Sequence, residues 1–442
     1  MPIRRGLLMI LLLIIVFPSL TGCQKPQQIK PITIKVSYPS AQQFYKMFGF
    51  AFQKSHPHFE IQVIQDEPGT DAGSFDTEAD VIYINGMDQY KAAIEQGKLR
   101  QIPPPLLNPS TNEGDLSPIV TALLSSASED GRYYALAPTF HSEALYFNKK
   151  LFDEYNITYP YDGMSWSDVF ALAQRFPAED KEGNRLYGIQ MNYYKNVTMN
   201  YILKAGETEN LSYFDPHTMK VTMNTEHWKS IWSNAVQAFR AGVVYDLGEE
   251  LDSMKHPAFL TEDAAMTVSS NVLAYNFEPF SHFEGGTMLD WGVVSAPIDP
   301  LNPDTSNFYE IFDFFGVSSI SEHPEEALEL VKFIAGDALN SRLLAQKQPN
   351  YGLPAVTEYV HPVGERDLSP LYSLQANPDY IDIYDKVDAN VLDAFQSAAQ
   401  SVLDRLLADE LTLEEALRET ELRGQEAVDA AIAELKLKQQ GN

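Results

Sequence analysis

The sequence predicts an α/β fold with a parallel sheet, and the segments that support this prediction lie at its beginning. Apolar and polar residues alternate over residues 32–36, which is typical of a half-buried strand. Ser40 then stands where a helix cap is expected, before apolar residues at helical spacing over 44–52. Alternation returns over 59–63, and the apolar run 81–84 indicates a buried strand. A strand, a helix and a strand in this order indicate a βαβ unit.

The later part of the chain continues the α/β pattern with helices that are marked by their start or end signals. Capping-box spacing, a proline in the first turn and a glycine after the last turn are the signals used. They occur as Ser165 with Asp168, Thr225 with Gly242, Pro324 with Gly336, and Thr412 with Glu415 before a helix running to about Leu435. Short β-like runs lie between them, at 187–191, 264–268 and 291–296.

The N-terminus predicts secretion and a lipid anchor. Arg4 and Arg5 precede an uninterrupted apolar run, Leu7–Phe17, which is too short to span a bilayer but suits a signal peptide. Cys23, the one cysteine of the chain, follows Leu-Thr-Gly at the end of this region, an arrangement that resembles a bacterial lipobox. We therefore expect residues 1–22 to be a signal peptide, with lipidated Cys23 and a polar tether over 23–31 on the outer face of the cell membrane.

The charge and the composition of the chain limit which kinds of partner it can bind. The 442 residues carry 32 basic and 61 acidic side chains, a net charge of −29. A surface of this sign repels polyanions, so nucleic acid is not expected as a partner. Membrane attachment would come from the lipid rather than from the protein surface, and a single cysteine excludes an internal disulfide. We expect a monomer that needs no cofactor.

Several segments in fixed order resemble the maltose-binding type of extracellular solute-binding proteins. Residues 131–138 read Gly-Arg-Tyr-Tyr-Ala-Leu-Ala-Pro, and residues 143–152 contain an aromatic-Asn-Lys strand end. Ser-Trp-Ser-Asp at 165–168 and Trp-Gly-Val-Val-Ser-Ala-Pro at 291–297 follow. The resemblance extends from about residue 32 to 435.

This resemblance implies a two-lobed periplasmic-binding-protein-like fold of type II, with a ligand cleft between lobes that crossover strands join. Lobe 1 would comprise residues 32–138 plus 298–335, and lobe 2 residues 139–297 plus 336–442. Such a protein captures a small solute by hinge closure and delivers it to the permease subunits of an ABC importer. The resemblance and the aromatic and amide side chains favour a carbohydrate, most simply an oligosaccharide.

Ligand contacts in α/β lobes cluster where strands end in loops, and this rule selects the candidate binding residues. Their aromatic faces, amides and hydroxyls suit a polyhydroxylated ligand. The candidates are Tyr38, Ser40, Asn85, Met87, His141, Asn192, Tyr193, Asn271, Tyr275 and Tyr351. Each tyrosine taken alone fits a half-buried core position better than a ligand contact, and it is their occurrence together at strand ends that favours a binding site.

The sequence also allows other interpretations of single residues and of the function. Trp166, Trp228 and Trp232 fit core positions, whereas Trp291 fits either core or cleft. The His56-Pro57-His58 segment lacks the spacing of a metal site, and no catalytic residue is proposed. A lipoprotein that senses its ligand for a membrane kinase would use the same closure as a transporter. A secreted glycosidase with two carboxylates is a weaker alternative, since no hydrolase motif accompanies the many acids.

Overall fold

A computed structural model gives the fold of the chain. It describes residues 31–65, 78–103, 115–191, 196–245, 257–282, 288–377, 383–384 and 386–440. The signal-peptide, Cys23 and tether predictions fall outside these ranges. Within them, no helix is both long and apolar enough to cross a membrane.

Strands and helices alternate along most of the described chain, as the sequence predicts. The strands are β1 Ile32–Ser37, β2 Phe59–Ile64, β3 Val81–Asn85, β4 Ala135–Leu136, β5 Thr139–Asn148, β6 Phe214–Asp215, β7 Lys220–Val221, β8 Met266–Ser270, β9 Trp291–Ser295, β10 Thr305–Ser306, β11 Tyr309–Glu310, β12 Asp313–Val317, β13 Leu353–Pro354 and β14 Gln375–Ala376.

The helices lie between these strands and after the last of them. They are α1 Ala41–Phe44, α2 Phe50–Ser55, α3 Met87–Glu95, α4 Pro118–Ser126, α5 Lys149–Glu154, α6 Trp166–Ala173, α7 Val197–Thr208, α8 Glu226–Arg240, α9 Val272–Ser281, α10 Pro324–Gly336, α11 Ala338–Lys347, α12 Ala389–Leu407 and α13 Leu413–Gln440. A π-helical turn, Tyr45–Gly49, joins α1 to α2. Short 3₁₀ turns form at Pro349–Tyr351, Thr357–Tyr359 and Ser369–Tyr372.

The first sheet is mixed, with the order β2-β1-β3-β12-β4. Strands β1, β2 and β3 run parallel, which confirms the predicted βαβ start. Strand β12 returns from far along the chain and pairs antiparallel with β3 and β4. Its first residue therefore lies at the same edge of the sheet as the last residue of β3.

The second sheet is organised around the long strand β5. The first half of β5 pairs with β13 and β11, and its second half pairs with β8 and β9. One continuous strand thus joins the region beside β4 to the core that contains β8 and β9. The boundaries of two lobes stay a prediction.

The core falls into two hydrophobic clusters. The first contains residues of β1, β2, β3, β12 and α10, and residues between 344 and 376 pack with it. The second contains α6, α7, α8, α12 and part of α13. Trp166, Trp228 and Trp232 are buried in the second cluster, as predicted, and a β-carbon at Gly206 would overlap the Trp228 ring. Trp291 is also core: its ring stacks on Phe277 at 4.6 Å.

The predicted helix after Ser40 is not continuous. Ser40 Oγ accepts a hydrogen bond from the Gln43 amide as a cap, and the last turn ends at Ser55, both as predicted. Between them, the Tyr45 ring covers Gly49, where a β-carbon would come 2.7 Å from it. The Tyr45 hydroxyl reaches the Ile61 carbonyl of β2 at 2.5 Å. This contact with another element explains the π turn, which the spacing of apolar residues does not predict.

The other helix signals are confirmed, whereas one β-like run is broken. The capping boxes form at Ser165 and at Thr412, and Gly242 takes the left-handed conformation after α8. Helix α10 begins at Pro324 and ends at Gly336. The run 187–191 makes isolated bridges rather than a continuous strand.

The capping box of α6 allows a stability prediction. The Ser165 hydroxyl accepts from the Asp168 amide at 3.2 Å and donates to its carboxylate at 2.7 Å. Replacing Ser165 with alanine is expected to lower the free energy of unfolding by about 1 kcal/mol, because a first-turn amide loses its acceptor. Denaturant unfolding measures this change, with the exposed Ser167→Ala on the same turn as control. Equal stability of both variants would contradict the prediction.

Candidate functional site

A group of polar and aromatic side chains meets where β3 ends and β12 begins. Asn85 and Asp313 are partners in the register of these antiparallel strands. The Gly86 amide donates to the Phe312 carbonyl at 2.7 Å, which closes this edge of the sheet. The His141 ring of β5 lies against the Phe312 ring, with centroids 4.7 Å apart. Three segments distant in sequence therefore converge on one site.

Asp313 is the charged group at the centre of this site. Its side chain is buried, and its Oδ1 accepts a hydrogen bond from the Tyr83 hydroxyl at 2.5 Å. Asn85 Nδ2 in turn donates to the Tyr83 oxygen at 3.1 Å. Burial raises the pKa of Tyr83 and the nearby Asp313 carboxylate raises it further, so this hydroxyl stays protonated and keeps donating.

Two further tyrosines form an aromatic wall around the carboxylate. The Tyr38 ring lies 4.7 Å from that of Tyr83 and 5.4 Å from that of Phe44, which ties the wall to the core. Burial, followed by the charge of Asp313, raises the pKa of Tyr38 to about 12. The same causes raise the pKa of Tyr351, whose buried hydroxyl lies beside Asp313 and Tyr38.

His141 and Asn271 line the β5 side of the site. Asn271 is fully buried, and it exchanges hydrogen bonds with the backbone of Ser142, donating through its own amide at 2.8 Å and accepting through Oδ1 at 3.1 Å. It thereby fixes the start of α9 to β5. Burial holds the pKa of His141 below its ordinary value of 6.5, although Asp313 opposes this effect. The imidazole is therefore neutral at pH 7.

A buried ion group borders the site where α7 meets β5 and β11. Lys204 Nζ lies 3.4 Å from Glu207, 3.8 Å from Glu143 and 4.2 Å from the centre of the Phe308 ring. Burial disfavours the ammonium, but Glu143, Glu207 and Glu310 outweigh it, so the pKa of Lys204 is raised. This lysine connects a helix of the second cluster to the strand that leads out of it.

The structure brings some of the candidate residues together and places others elsewhere. Tyr38, Asn85, His141 and Tyr351 surround Asp313, and Asn271 supports His141. Met87 is half-buried at the start of α3, beside Gly86.

Of the remaining candidates, two lie in the described chain and two do not. Ser40 serves as a helix cap. Tyr275 packs against the first hydrophobic cluster, and burial, followed by the charge of Tyr372, raises its pKa to about 12. Asn192 and Tyr193 lie outside the described residues, so their predicted role stays a prediction.

Sequence reasoning missed Tyr83, Phe312 and Asp313. Tyr83 lies inside the run 81–84, which the sequence analysis treats only as a buried strand. Phe312 precedes β12 and Asp313 is its first residue, and this strand was not predicted. The available signal was a single carboxylate at the start of an otherwise apolar run, Phe-Phe-Gly-Val. A polar residue at a strand start becomes a site candidate only when the pairing with β3 is known.

The arrangement is suited to binding a polar ligand. The Phe312 side chain is 44% exposed, although it is large and apolar, and it offers a ring face beside His141. The carboxylate, the Asn85 amide and the Tyr351 hydroxyl offer hydrogen bonds next to this face. Across the described residues, no three His, Cys, Asp or Glu side chains cluster as they would around a metal ion.

Solved structures share this fold at low sequence identity. A sugar transporter protein from Rhizobium etli in an open conformation matches with a TM-score of 0.63 and 16% identity, over 89% of this chain and 99% of that one. The sugar-binding protein MalE from Xanthomonas citri matches with a TM-score of 0.57 and 13% identity, over 91% and 99%. A Listeria monocytogenes ABC substrate-binding protein in complex with cycloalternan matches with a TM-score of 0.55 and 17% identity, over 90% and 99%.

These likenesses confirm the predicted two-lobed periplasmic-binding-protein-like α/β fold. No curated protein matches the chain in sequence. The family model described as bacterial extracellular solute-binding protein matches residues 37–340, more than half of the chain. This match contains β3, β5 and β12, and therefore the strands that build the site. The chain belongs to the family of bacterial extracellular solute-binding proteins.

Proposed function

We propose that this protein is the substrate-binding subunit of an ABC importer and that it captures a carbohydrate. The observation that carries the ligand class is the site around Phe312, where an exposed ring face adjoins a carboxylate, an amide and hydroxyls. Sugar rings stack their C–H faces on aromatic rings while their hydroxyls pair with such groups. The solved structures of like fold include sugar-binding proteins, which supports the same class.

Capture by hinge closure fits the way in which β5 connects the two clusters. His141 lies on the half of β5 that pairs with β11 and β13, whereas the residues from Glu143 onward pair with β8 and β9. A change of angle at this strand would move the second cluster relative to Asp313 and Tyr351. A ligand that contacts both sides stabilises the closed form by its differential affinity, and the permease subunits then recognise that form.

The place of action follows from the family, which is extracellular. The proposal adds that Cys23 carries a lipid and that residues 24–31 tether the domain to the outer face of the membrane. Strand β1 begins at Ile32, so this tether is short and keeps the protein close to the permease.

Thermal unfolding against a ligand panel tests the proposal. The panel contains oligosaccharides, monosaccharides, polyamines and sugar phosphates, with the purified full chain in detergent. A ligand at about a hundred times its dissociation constant stabilises the folded state by roughly 2.7 kcal/mol. We expect an upward shift with saccharides and recovery of the saccharide unchanged by mass spectrometry. A shift with polyamines or sugar phosphates alone, or turnover of the saccharide, would refute the proposal.

A further inference from the structure

Asp313 is a buried carboxylate that lacks a cationic partner among the described residues. Only 9% of the residue is exposed, and the donors at its carboxylate are the neutral hydroxyls of Tyr83 and Tyr351. The neighbouring imidazole of His141 does not compensate the charge, because burial lowers its pKa. An isolated buried carboxylate costs several kcal/mol unless hydrogen bonds or an opposite charge offset the lost solvation. The described residues therefore give this carboxylate neutral hydrogen-bond donors but no cation.

The groups around Asp313 are those that receive a cation. The rings of Tyr38 and Tyr83 lie 4.7 Å apart beside the carboxylate, and Phe312 precedes it with its ring face exposed. Aromatic faces attract ammonium groups through their negative π surfaces, more strongly where water is excluded. The buried Tyr351 hydroxyl lies beside the carboxylate. A cationic donor at this point would meet both the carboxylate and the Tyr351 oxygen.

We propose that the ligand carries a protonated amino group, as an amino sugar does, and that Asp313 binds this ammonium between Phe312 and Tyr351. The proposal rests on the proposed function, because it specifies the class of saccharide that the same site takes. An ammonium donates up to three hydrogen bonds, so it satisfies the carboxylate and the Tyr351 oxygen together. The net charge of −29 favours the approach of a cationic solute as well.

Matched pairs of saccharides test this inference by titration calorimetry on the purified full chain. Glucosamine, galactosamine and their β-linked oligomers are compared with glucose, galactose and the N-acetylated oligomers, which lack the positive charge. We expect at least one aminated probe to bind about 30-fold more tightly than its neutral counterpart. Asp313→Asn is expected to abolish this preference, because the amide keeps hydrogen-bonding atoms but lacks the charge that distinguishes the two members of a pair.

Two controls separate this role from a structural one. Asn at position 313 still accepts the Tyr83 hydrogen bond and removes the buried charge, so the thermal midpoint without ligand should not fall. Asp393→Asn, at an exposed position of α12, changes the net charge equally and should keep the preference for the aminated probe. Loss of the preference in this control would overturn the role of Asp313.

The results also distinguish the two proposals. Equal binding of aminated and neutral saccharides, unaffected by Asp313→Asn, would overturn the ammonium site and leave carbohydrate capture intact. Binding of neither class would overturn both. A preference for the aminated member that Asp313→Asn removes supports both.

Discussion

Replacing Lys204 with methionine is expected to lower the free energy of unfolding by about 1.5 kcal/mol, between the values for exposed and for buried ion pairs. Lys204 Nζ lies 3.8 Å from the Glu143 carboxylate and 3.4 Å from that of Glu207. The lysine side chain is largely buried beside the Phe308 ring. Methionine fills a similar volume, so packing changes little. The loss arises because two carboxylates then lie near each other without a cation, and since both are more than a third exposed, solvent screens part of their repulsion.

Denaturant unfolding of three variants measures the effect and its cause. The second variant adds Glu143→Gln to Lys204→Met and should regain part of the lost stability, because one of the unpaired charges disappears. The third, Lys229→Met, breaks an exposed pair with Glu414 and should leave the midpoint almost unchanged. Failure of the double variant to regain stability would show that lost packing, not charge, causes the deficit of Lys204→Met.

The parts of the fold that could be predicted are those whose causes lie close together in sequence. The capping boxes at Ser165 and Thr412 span three residues, and alternation within β1 and β2 shows which face is buried. The α/β class could be predicted from these signals, and the family from the motifs in their fixed order. The π turn at Tyr45 escaped prediction because its cause is a hydrogen bond to Ile61 on another element.

The candidate site could be predicted only in part, because its contacts join distant segments. The Tyr83 and Asp313 side chains meet across 230 positions of the sequence. The rule that ligand residues follow strand ends selected Tyr38 and Asn85, which lie in this group. It also selected Asn271, whose backbone amide and Oδ1 bond to Ser142, 129 positions away, and whose side chain supports His141. Strand ends show where a residue lies, but only the pairing shows whether its polar atoms remain free for a ligand.

Replacing Phe312 with alanine is expected to weaken saccharide binding about 30-fold, which corresponds to roughly 2 kcal/mol. The ring is 44% exposed and packs on His141, so it presents one face to the site without belonging to the core. A sugar ring that stacks on this face gains dispersion and loses water there, and alanine removes the face. Stability without ligand should change by less than about 0.5 kcal/mol, because an exposed ring contributes little to folding.

The matched control is Phe50→Ala. Phe50 is 66% exposed and lies on α2 beside Lys46 and Lys347, in a groove lined by α2, the π turn and α11. Both variants delete an exposed phenyl ring, so any general effect on solubility or folding is shared. Calorimetric titration with the saccharide that gives the largest thermal shift should therefore separate them, with Phe50→Ala binding like the unmodified chain. Equal affinities of the two variants would mean that the ligand does not stack on Phe312, and the carbohydrate would then have to be held by the hydrogen-bonding groups alone.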